Sequence, residues 1–353
     1  MVVLYIQMAL NKRVYLKSRP GANGSPSISN FSCEMCEYPV MENEESIIVK
    51  TLYLSVDPYM RCCMNSDSGV DYVKAWQLGS TIAGPGIGMV LESKSETLHK
   101  GDFVISSGLE WPWKLYAAVK NCEVEKIKST QDNLPLFLSI FGISGITAAL
   151  GVSLKGGVEA SLKQLMVVSA AAGGCGSVAG QVAKVLGCSK VVGICGSEEK
   201  CMFLMDELHF DGAICYKTQN VDEELSRLCP EGVDLYFDNV GGTVSDLVIS
   251  HMNHKSCIIL CGQISKYNED VPYPPPMSTE TRKILRQREI NRERFLVLNH
   301  KEKWKEALHF LQKEYNTGNI KSKETIAHGL ENAGSAFVSM MNGCNIGKQL
   351  VKL

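Results

Sequence analysis

The sequence has little histidine, no excess of charge of either sign, and no internal repeat or low-complexity segment. Its 36 Lys and Arg residues nearly balance 38 Asp and Glu residues, which gives a formal net charge of −2. This balance excludes nucleic acid and anionic membranes as partners recognised through bulk charge. At 353 residues the chain is too long for one simple core, so we expect two domains.

Histidine, the commonest metal ligand, is scarce in the N-terminal part of the chain. A catalytic zinc needs three convergent His, Cys, Asp or Glu ligands and an open position. His99 is the one histidine before residue 133, and Cys33-x-x-Cys36 has no second pair to complete it. We therefore expect no metal, which leaves polarisation of a substrate to hydroxyl, amide or backbone donors.

The cysteines and the apolar stretches indicate the compartment. The fourteen cysteines are scattered, and the apolar start Met1–Leu10 is followed, not preceded, by basic residues, unlike a secretory signal. Both features favour a reducing, cytoplasmic setting, and we predict a strand or an irregular extension for Met1–Leu10. Residues 133–154 carry no charge, but Pro135 and three glycines interrupt them. A pair of buried helices is favoured there over a membrane span.

The segment from Arg13 to about Glu125 has the pattern of a β-rich barrel or sandwich. We expect strands at Val14–Leu16, Ile47–Leu54, Gly86–Leu91, Asp102–Ser106 and Leu115–Val119. Pro58 holds Asp57 in extended or turn geometry, which places Tyr59 at a strand end or on a loop. The aromatic cluster Trp111–Trp113 either packs in a core or lines a pocket, and the residues alone leave both possibilities open.

A strand, a glycine-rich turn and a helix follow one another in the middle of the chain. Leu165–Val168 is typical of a buried strand, and Gly173–Gly176 forms the turn before a helically spaced apolar run. Backbone N–H groups and the helix dipole at such a turn bind a pyrophosphate. The spacing departs from strict G-x-G-x-x-G, and a buried turn without a ligand looks similar. The strand that follows at once, Lys190–Cys195, favours a nucleotide site.

Strands and helices alternate from Leu134 to about His300, which predicts a doubly wound parallel sheet of the α/β class. Further strands are expected at Ala213–Cys215, Val233–Phe237, Cys257–Leu260 and Arg294–Leu298, and helices at Glu198–His209, Asn220–Leu228, Lys301–Tyr315 and Gly334–Asn342, with another opened by Gly241-Gly242. Ligands bind beyond the carboxyl ends of such strands, where Asn239 and Cys261–Ser265 lie.

The end of the second strand discriminates between the two nicotinamide dinucleotides. An acidic residue there would hydrogen-bond the ribose 2′-hydroxyl of NAD. Here the position is Cys195–Ser197, small and uncharged, and Lys200 follows one turn into the next helix. A 2′-phosphate fits these donors and this point charge, which favours NADP(H). Glu198 and Glu199 argue against it unless they face solvent near the positive end of the helix dipole.

Two phenols are candidate donors for chemistry at the crevice. Tyr267 lies in the loop after the fifth strand, and Tyr59 belongs to the first domain. A hydroxyl placed where negative charge develops lowers the barrier to reaction. The alternative role for Tyr267 is structural, as a phenol that covers the proline-rich segment 272–276.

Eight motifs lie between Arg13 and the C-terminus: Leu52–Arg61, Ala171–Gln181, Val191–Gly196, Tyr236–Gly242, Ile259–Ser265, Val271–Pro276, Arg292–Leu298 and Asn345–Gln349. Together they resemble the zinc-free group of the medium-chain dehydrogenase/reductase family, within it the prostaglandin and leukotriene reductases and the plant double-bond reductases. The resemblance implies a GroES-like β-barrel domain (1–132), a Rossmann domain that binds NADP(H) (133–300) and a C-terminal return to the barrel domain (301–353).

The same resemblance implies an activity and a set of contacts. The activity is NADPH-dependent reduction of a carbon–carbon double bond conjugated to a ketone, with 15-keto-prostaglandins as the foremost substrates. The implied cofactor contacts are Gly173, Gly174, Cys175, Gly176, Lys200, Tyr216, Asn239, Cys261, Gly262, Gln263, Ile264, Ser265, Lys266, Tyr267, Phe295, Leu296, Val297 and Asn345. We expect a lipid enone as the substrate and a monomer or homodimer. A quinone or alkenal reductase and a non-catalytic NADPH-binding protein are the alternatives.

One stretch departs from the family pattern. Just before the W-P-W motif the family has two aromatic residues thought to touch substrate, whereas this chain has the longer stretch Ser107–Glu110. The Glu110 carboxylate would repel an anionic fatty-acid tail if it faced the substrate. We therefore assign no substrate contacts there, and an enone reductase is the firmer expectation than a prostaglandin reductase.

Overall fold

The computed structural model describes residues 10–41, 43–272 and 274–353, so the prediction for Met1–Leu10 lies outside the described residues except at Leu10. The chain forms two compact units. The first contains the described part of Met1–Leu138 together with Ile326–Asn342 and Gln349–Leu353, and the second contains that of Ser139–Thr325 together with Gly343–Lys348. The second unit thus extends past the predicted range 133–300 and includes a short piece of the C-terminal tail.

The N-terminal part is rich in strands, as predicted. They are β1 (Asn11–Leu16), β2 (Phe31–Cys36), β3 (Ser46–Ser55), β4 (Ala83–Gly84), β5 (Gly86–Ser93), β6 (Phe103–Ser106), β7 (Trp111–Pro112), β8 (Tyr116–Lys120) and β9 (Val124–Ile127), with the short helix α1 at Met60–Cys63. Strand β3 is the centre of this part, since it pairs antiparallel with both β5 and β8.

Strands and helices alternate in the second unit. The strands are β10 (Leu165–Ser169), β11 (Lys190–Cys195), β12 (Gly212–Cys215), β13 (Val233–Asp238), β14 (Met252–Leu260) and β15 (Asn291–Arg294). The helices are α2 (Ile143–Lys155), α3 (Gly176–Leu186), α4 (Glu198–Met202), α5 (Val221–Leu228), α6 (Gly242–Ser250), α7 (Thr279–Gln287) and α8 (Trp304–Asn316). The C-terminal part adds β16 (Glu324–His328), α9 (Ala333–Met341) and β17 (Lys348–Lys352).

Shorter helical turns connect these elements. The 3-10 turns are Ile28–Asn30, Asn121–Glu123, Gln131–Phe137, Ala160–Leu162, Ile264–Lys266, Val297–Lys303 and Leu330–Asn332, and a π-helical turn at Phe203–Glu207 continues α4. No helix within the described ranges is long and apolar enough to cross a membrane. Of the pair of buried helices predicted within 133–154, the structure has one α-helix, α2, and the other segment belongs to the 3-10 turn Gln131–Phe137.

The first unit is built on a sheet with strand order β16-β17-β3-β5-β6-β9. Trp111 and Trp113 are both 0% exposed and belong to its core. Packing in a core is therefore the correct alternative for the W-P-W motif. The C-terminal helix α9 completes the same core, since Phe337 packs edge-on against Phe31 with ring centroids 5.6 Å apart.

The second unit contains a six-stranded sheet with the order β12-β11-β10-β13-β14-β15. Every pairing in this sheet is parallel. The strand order and the parallel pairing together are those of a dinucleotide-binding doubly wound fold. Because β11 and β12 lie on one side of β10 and the later strands lie on the other, the strand order reverses between β10 and β13. The predicted α/β architecture of two domains is confirmed, and the crevice at which such folds bind ligands lies beyond the carboxyl ends of these two strands.

The sixth strand was predicted in the wrong place. The apolar run Phe295–Leu298 indicated a strand at Arg294–Leu298, but β15 is the polar segment Asn291–Arg294, and a 3-10 turn begins at Val297. Strand β15 is the last strand of the sheet, and an edge strand needs no continuous apolar sequence because one side of it is not covered by another strand.

Candidate functional site

The glycine turn follows β10, at the point where the strand order of the sheet reverses. Strand β10 is buried at all five residues, and the chain then turns through Ala170, a non-glycine residue at φ 46°. Gly173 N donates to Ala170 O at 3.0 Å, and a Cβ on Gly176 would overlap that same carbonyl. The turn is therefore tight, glycine is required at Gly176, and the N-terminus of α3 faces the crevice. Such a cradle fits the pyrophosphate of a dinucleotide.

A segment from the far end of the chain completes this turn. Gly347 N donates to Ala172 O at 2.7 Å, and Gly347 forms a parallel bridge with Gly173. Asn345, a predicted cofactor contact, donates through Nδ2 to Gly347 O at 2.7 Å. The structure thus brings Asn345 to the glycine turn although it lies 172 positions after Gly173 in the chain.

The next strand end holds Asn239 by a network of hydrogen bonds. Asn239 N donates to Ser169 Oγ at 3.0 Å, and Asn239 Nδ2 donates to Ser169 O at 2.8 Å. The preceding residue, Asp238, is 0% exposed, and its carboxylate accepts the backbone N–H of Gly241 at 2.9 Å. These contacts fix the ends of β10 and β13 side by side. Sequence reasoning identified Asn239 but not the carboxylate that shapes its turn.

The predicted phosphate-binding residues at the end of β11 come together. Ser197 caps α4 by accepting Lys200 N at 3.3 Å, and Lys200 Nζ donates to Gly343 O at 2.7 Å. The Tyr216 ring lies 3.2 Å from the position that a Cβ on Gly196 would take. Partial burial lowers the pKa of Lys200. The end of β11 therefore has the ammonium of Lys200, the hydroxyl of Ser197 and the aromatic ring of Tyr216 around Gly196, which has no side chain.

The two acidic residues that argued against NADP(H) are both exposed. Glu198 accepts a hydrogen bond from Thr218 Oγ1 at 2.7 Å, and Glu199 lies beside it in the first turn of α4. Acidic side chains in that turn interact favourably with the positive end of the helix dipole. Their exposure matches the reading in which they face solvent.

The loop after β14 runs along the same edge of the sheet. Cys261 Sγ lies 4.0 Å from Cys175 Sγ in the glycine turn, and this contact, followed by burial, raises the pKa of the Cys175 thiol. Gln263 is 3% exposed, and its Oε1 accepts no hydrogen bond from any described residue. An orphaned buried oxygen of this kind fits a site that is completed by a ligand.

Tyr267 ends the 3-10 turn Ile264–Lys266. Its hydroxyl lies 3.3 Å from the position that a Cβ on Gly262 would take, and that position is also 3.4 Å from Asn239 O. The phenolic hydroxyl therefore lies near the ends of β13 and β14. Ser265 Oγ, which donates to Val240 O at 2.6 Å, ties this loop to the turn after β13.

The predicted segment Phe295–Val297 follows β15. Phe295 N donates to Leu260 O at 2.9 Å, and the side chains of Phe295 and Val297 are 3% and 4% exposed. The Phe295 ring stacks on His300 with centroids 5.3 Å apart. Because these two side chains belong to the core, the segment offers a ligand its backbone and the half-buried Leu296.

Tyr59 lies in the first unit, at the start of α1. Its hydroxyl is buried and has no hydrogen-bond partner among the described residues. Burial, and next to it the neighbouring Asp57, raises the pKa of Tyr59 well above its ordinary value, and Glu110 also contributes. The phenol therefore keeps its proton and can act as a donor. Asp57 itself accepts Ser55 Oγ at 2.5 Å.

The described part of the chain contains no group of three or more His, Cys, Asp or Glu side chains arranged to hold a metal ion. These described residues therefore do not fit a zinc site.

Two family profiles match the sequence. One, described as the N-terminal domain of oxidoreductase, matches residues 12–127, and the other, described as zinc-binding dehydrogenase, matches residues 174–313. Among solved structures, CurA from Vibrio vulnificus in complex with NADPH has a TM-score of 0.87 at 30% identity, covering 97% of this chain and 98% of that one. Escherichia coli quinone oxidoreductase complexed with NADPH shares the fold, with a TM-score of 0.75 at 16% identity over 97% of this chain and all of that one.

Full-length relatives give the same assignment. The chain is 36% identical to the putative NADP-dependent oxidoreductase YfmJ of Bacillus subtilis, covering 98% of both proteins. It is also 36% identical to prostaglandin reductase 1 of Bos taurus, over 93% of this chain and 95% of that protein. The 2-alkenal reductase (NADP(+)-dependent) of Nicotiana tabacum is 36% identical over 97% of each. The chain therefore belongs to the zinc-binding dehydrogenase, or medium-chain dehydrogenase/reductase, family.

Proposed function

We propose that this protein reduces the carbon–carbon double bond of α,β-unsaturated ketones with NADPH, and that 15-keto-prostaglandins, reduced to their 13,14-dihydro forms, are its substrates. An NADP-dependent oxidoreductase of the prostaglandin reductase and alkenal reductase type is supported by relatives that cover nearly the whole chain. The finer assignment follows the motifs, which resemble those of prostaglandin reductase 2, a 15-oxoprostaglandin 13-reductase. The observation that carries the proposal is the position of the Tyr267 hydroxyl near Gly262 and the end of β13, on the loop that contacts the glycine turn through Cys261 and Cys175.

NADP(H) is the cofactor. The glycine turn Gly173–Gly176 receives the pyrophosphate, and Lys200 with Tyr216 and Ser197 receives the 2′-phosphate. The absence of an acidic side chain at the end of β11 removes the group that would bind the ribose hydroxyl of NAD. Asn239, Asn345 and the loop Cys261–Tyr267 line the rest of the cofactor site.

Bound NADPH supplies the hydride that reduces the β-carbon of the enone. Negative charge then develops on the ketone oxygen, and hydrogen-bond donors placed at that oxygen stabilise it. Tyr267 is the first candidate. Its phenol, placed at the strand ends, would hold the ribose 2′-hydroxyl of the nicotinamide half so that this hydroxyl donates to the ketone oxygen.

Tyr59 is the second candidate donor. Its buried hydroxyl has no partner among the described residues and stays protonated because its pKa is raised. In this alternative Tyr59 donates to the ketone oxygen, and Tyr267 acts on the cofactor alone. A tyrosine or water supplies the final proton.

The substrate assignment is tested by following NADPH absorbance with 15-keto-prostaglandin E2, a short alkenal and a simple quinone. Loss of NADPH with the prostaglandin, and a product saturated at the ring-proximal double bond, is the expected result. Loss with only the alkenal or the quinone would contradict the prostaglandin assignment and retain the cofactor. NADPH binding without turnover of any acceptor would leave a non-catalytic binding protein.

The Glu110 carboxylate is expected to weaken the use of anionic substrates. Glu110 is exposed and lies within electrostatic range of the Tyr59 phenol. Glu110→Gln should raise kcat/KM for 15-keto-prostaglandin E2 about two- to fivefold, the range of a single solvent-exposed charge interaction, and leave kcat/KM for its methyl ester unchanged. Glu96→Gln, an exposed control in the same unit, should change neither value. Equal changes for acid and ester would show that Glu110 acts through the shape of the site.

The cysteines agree with the proposed setting. All fourteen are free thiols, as expected in a reducing compartment such as the cytoplasm. The proposed partner is a small lipid enone, and the charge balance of the chain gives it no general affinity for polyanions.

A further inference from the structure

Lys348 is a buried lysine beside the glycine turn. It is 4% exposed, although lysine is among the residues least often fully buried. A Cβ on Gly174 would lie 3.0 Å from Lys348 Cδ and 3.3 Å from both Lys348 Cα and Cβ. The aliphatic stem of Lys348 therefore crosses the second glycine of the turn, and Gly174 has no side chain where that stem lies.

The backbone around Lys348 is fixed on both sides. Lys348 N donates to Lys323 O at 2.8 Å, and the preceding Gly347 donates to Ala172 O at 2.7 Å. Gly347 has φ 69°, and a Cβ there would overlap Lys323 O. This close approach needs glycine. The segment is therefore held against the turn by backbone contacts, and the position of Lys348 is defined before any ligand binds.

The charge of Lys348 acts on the turn itself. Lys348 lowers the pKa of the Cys175 thiol, against the larger raising effects of the Cys261 contact and of burial. The ammonium is thus within electrostatic range of the third residue of the turn. The Cys175 thiol stays neutral, so it adds no negative charge where a phosphate would bind. An anion at this turn would meet backbone N–H groups, the N-terminus of α3 and one lysine charge.

We propose that Lys348 is a cofactor-binding residue whose ammonium pairs with the pyrophosphate that Gly173–Gly176 receive. The proposal rests on NADP(H) as the cofactor and is independent of the enone. Lys200 and Lys348 then bind different phosphate groups of the cofactor. Lys200 recognises the 2′-phosphate, which only NADP(H) carries, and Lys348 recognises the pyrophosphate, which NADP(H) and NAD(H) share.

The division of roles is tested by binding alone. Dissociation constants of NADPH, NADH and adenosine 2′-monophosphate are measured by fluorescence titration and competition. Lys348→Met, which keeps the stem over Gly174, should weaken NADPH and NADH by the same factor, about 10- to 100-fold, the range for a hydrogen bond to a charged group. It should leave adenosine 2′-monophosphate unchanged, because that ligand has no pyrophosphate. Lys200→Met should weaken NADPH and adenosine 2′-monophosphate and spare NADH.

Two further variants keep the result decisive. Lys348→Arg retains the charge and should bind NADPH within about threefold of the unchanged chain. Lys305→Met removes an exposed lysine on α8 and should have no effect. Unchanged NADPH and NADH affinity in Lys348→Met would overturn the proposal. So would a parallel loss of adenosine 2′-monophosphate binding, which indicates a distorted site, or a loss in Lys348→Arg equal to that in Lys348→Met. None of these readouts depends on the enone, so failure of the proposed substrate is recognised separately.

Discussion

Tyr267→Phe is expected to lower kcat about 100-fold, the effect of losing one donor to a developing oxyanion, because the ribose hydroxyl that donates is no longer held in place. The affinity for NADPH should stay within about fivefold, because one hydrogen bond to the cofactor is lost and the ring is kept. The hydroxyl lies at the strand ends, close to Gly262 and to Asn239 O. A group there can orient the ribose 2′-hydroxyl in the transition state without contributing much to binding. Single-turnover reduction and NADPH titration measure the two quantities independently.

Tyr315→Phe is the matched control for this variant. Tyr315 lies on α8, where its ring packs edge-on against Phe141 with centroids 5.5 Å apart, and we expect no change in kcat. Equal turnover in Tyr267→Phe would assign Tyr267 a structural role. In that outcome Tyr59→Phe should carry the loss, because the buried Tyr59 hydroxyl is the second candidate donor.

Asp238→Ala is expected to lower the free energy of unfolding of the second unit by about 4 kcal/mol, since buried donors left without an acceptor each cost about 1–3 kcal/mol. Asp238 is 0% exposed. Its Oδ1 accepts Tyr236 Oη at 2.9 Å, Val240 N at 3.0 Å and Gly241 N at 2.9 Å, and its Oδ2 accepts Ser245 Oγ at 2.7 Å. Urea unfolding with and without NADPH measures the loss.

Asp238→Asn separates hydrogen bonding from charge. Its carbonyl can keep the three donors at Oδ1, and its amide can donate to Ser245 Oγ, so we expect a loss of about 1 kcal/mol. Asp206→Ala removes an exposed carboxylate of the same unit and should change stability by less than about 0.5 kcal/mol. A loss in Asp238→Ala as small as in Asp206→Ala would show that the network contributes nothing to stability.

Local patterns were sufficient for the framework of the second unit. The buried strand β10, the glycine turn and α3 were predicted closely because each is encoded within a few residues: an apolar run, small residues at a tight turn, and Gly187 at φ 111° ending the helix. The prediction of Asn220–Leu228 succeeded for the same reason, since Asn220 caps α5 through its side chain. The strand predicted at Arg294–Leu298 was wrong because the actual edge strand, β15, is polar, and the apolar residues after it belong to a buried turn.

Some of the predicted site residues could likewise be identified from short sequence patterns, whereas others could not. Gly173–Gly176, Lys200 and Asn239 could be proposed from their places after strands, since parallel strands bring their carboxyl ends to one edge. Lys348 could not, because nothing in the short motif around it indicates that its backbone lies against Ala172. The orphaned Gln263 oxygen and the acceptor role of Asp238 are likewise visible only when burial and partners are known.

The sequence by itself determined the class of fold, the order of strands and helices along the chain, and the preference for a 2′-phosphate, because these depend on residues that are near one another in the chain. The tertiary structure decided the rest. It placed Gly347 and Lys348 against the glycine turn, brought Lys200 Nζ to Gly343 O and buried Trp111 in the first core. Such contacts join segments far apart in the chain, so they follow from how the strands pair and pack and not from any local pattern.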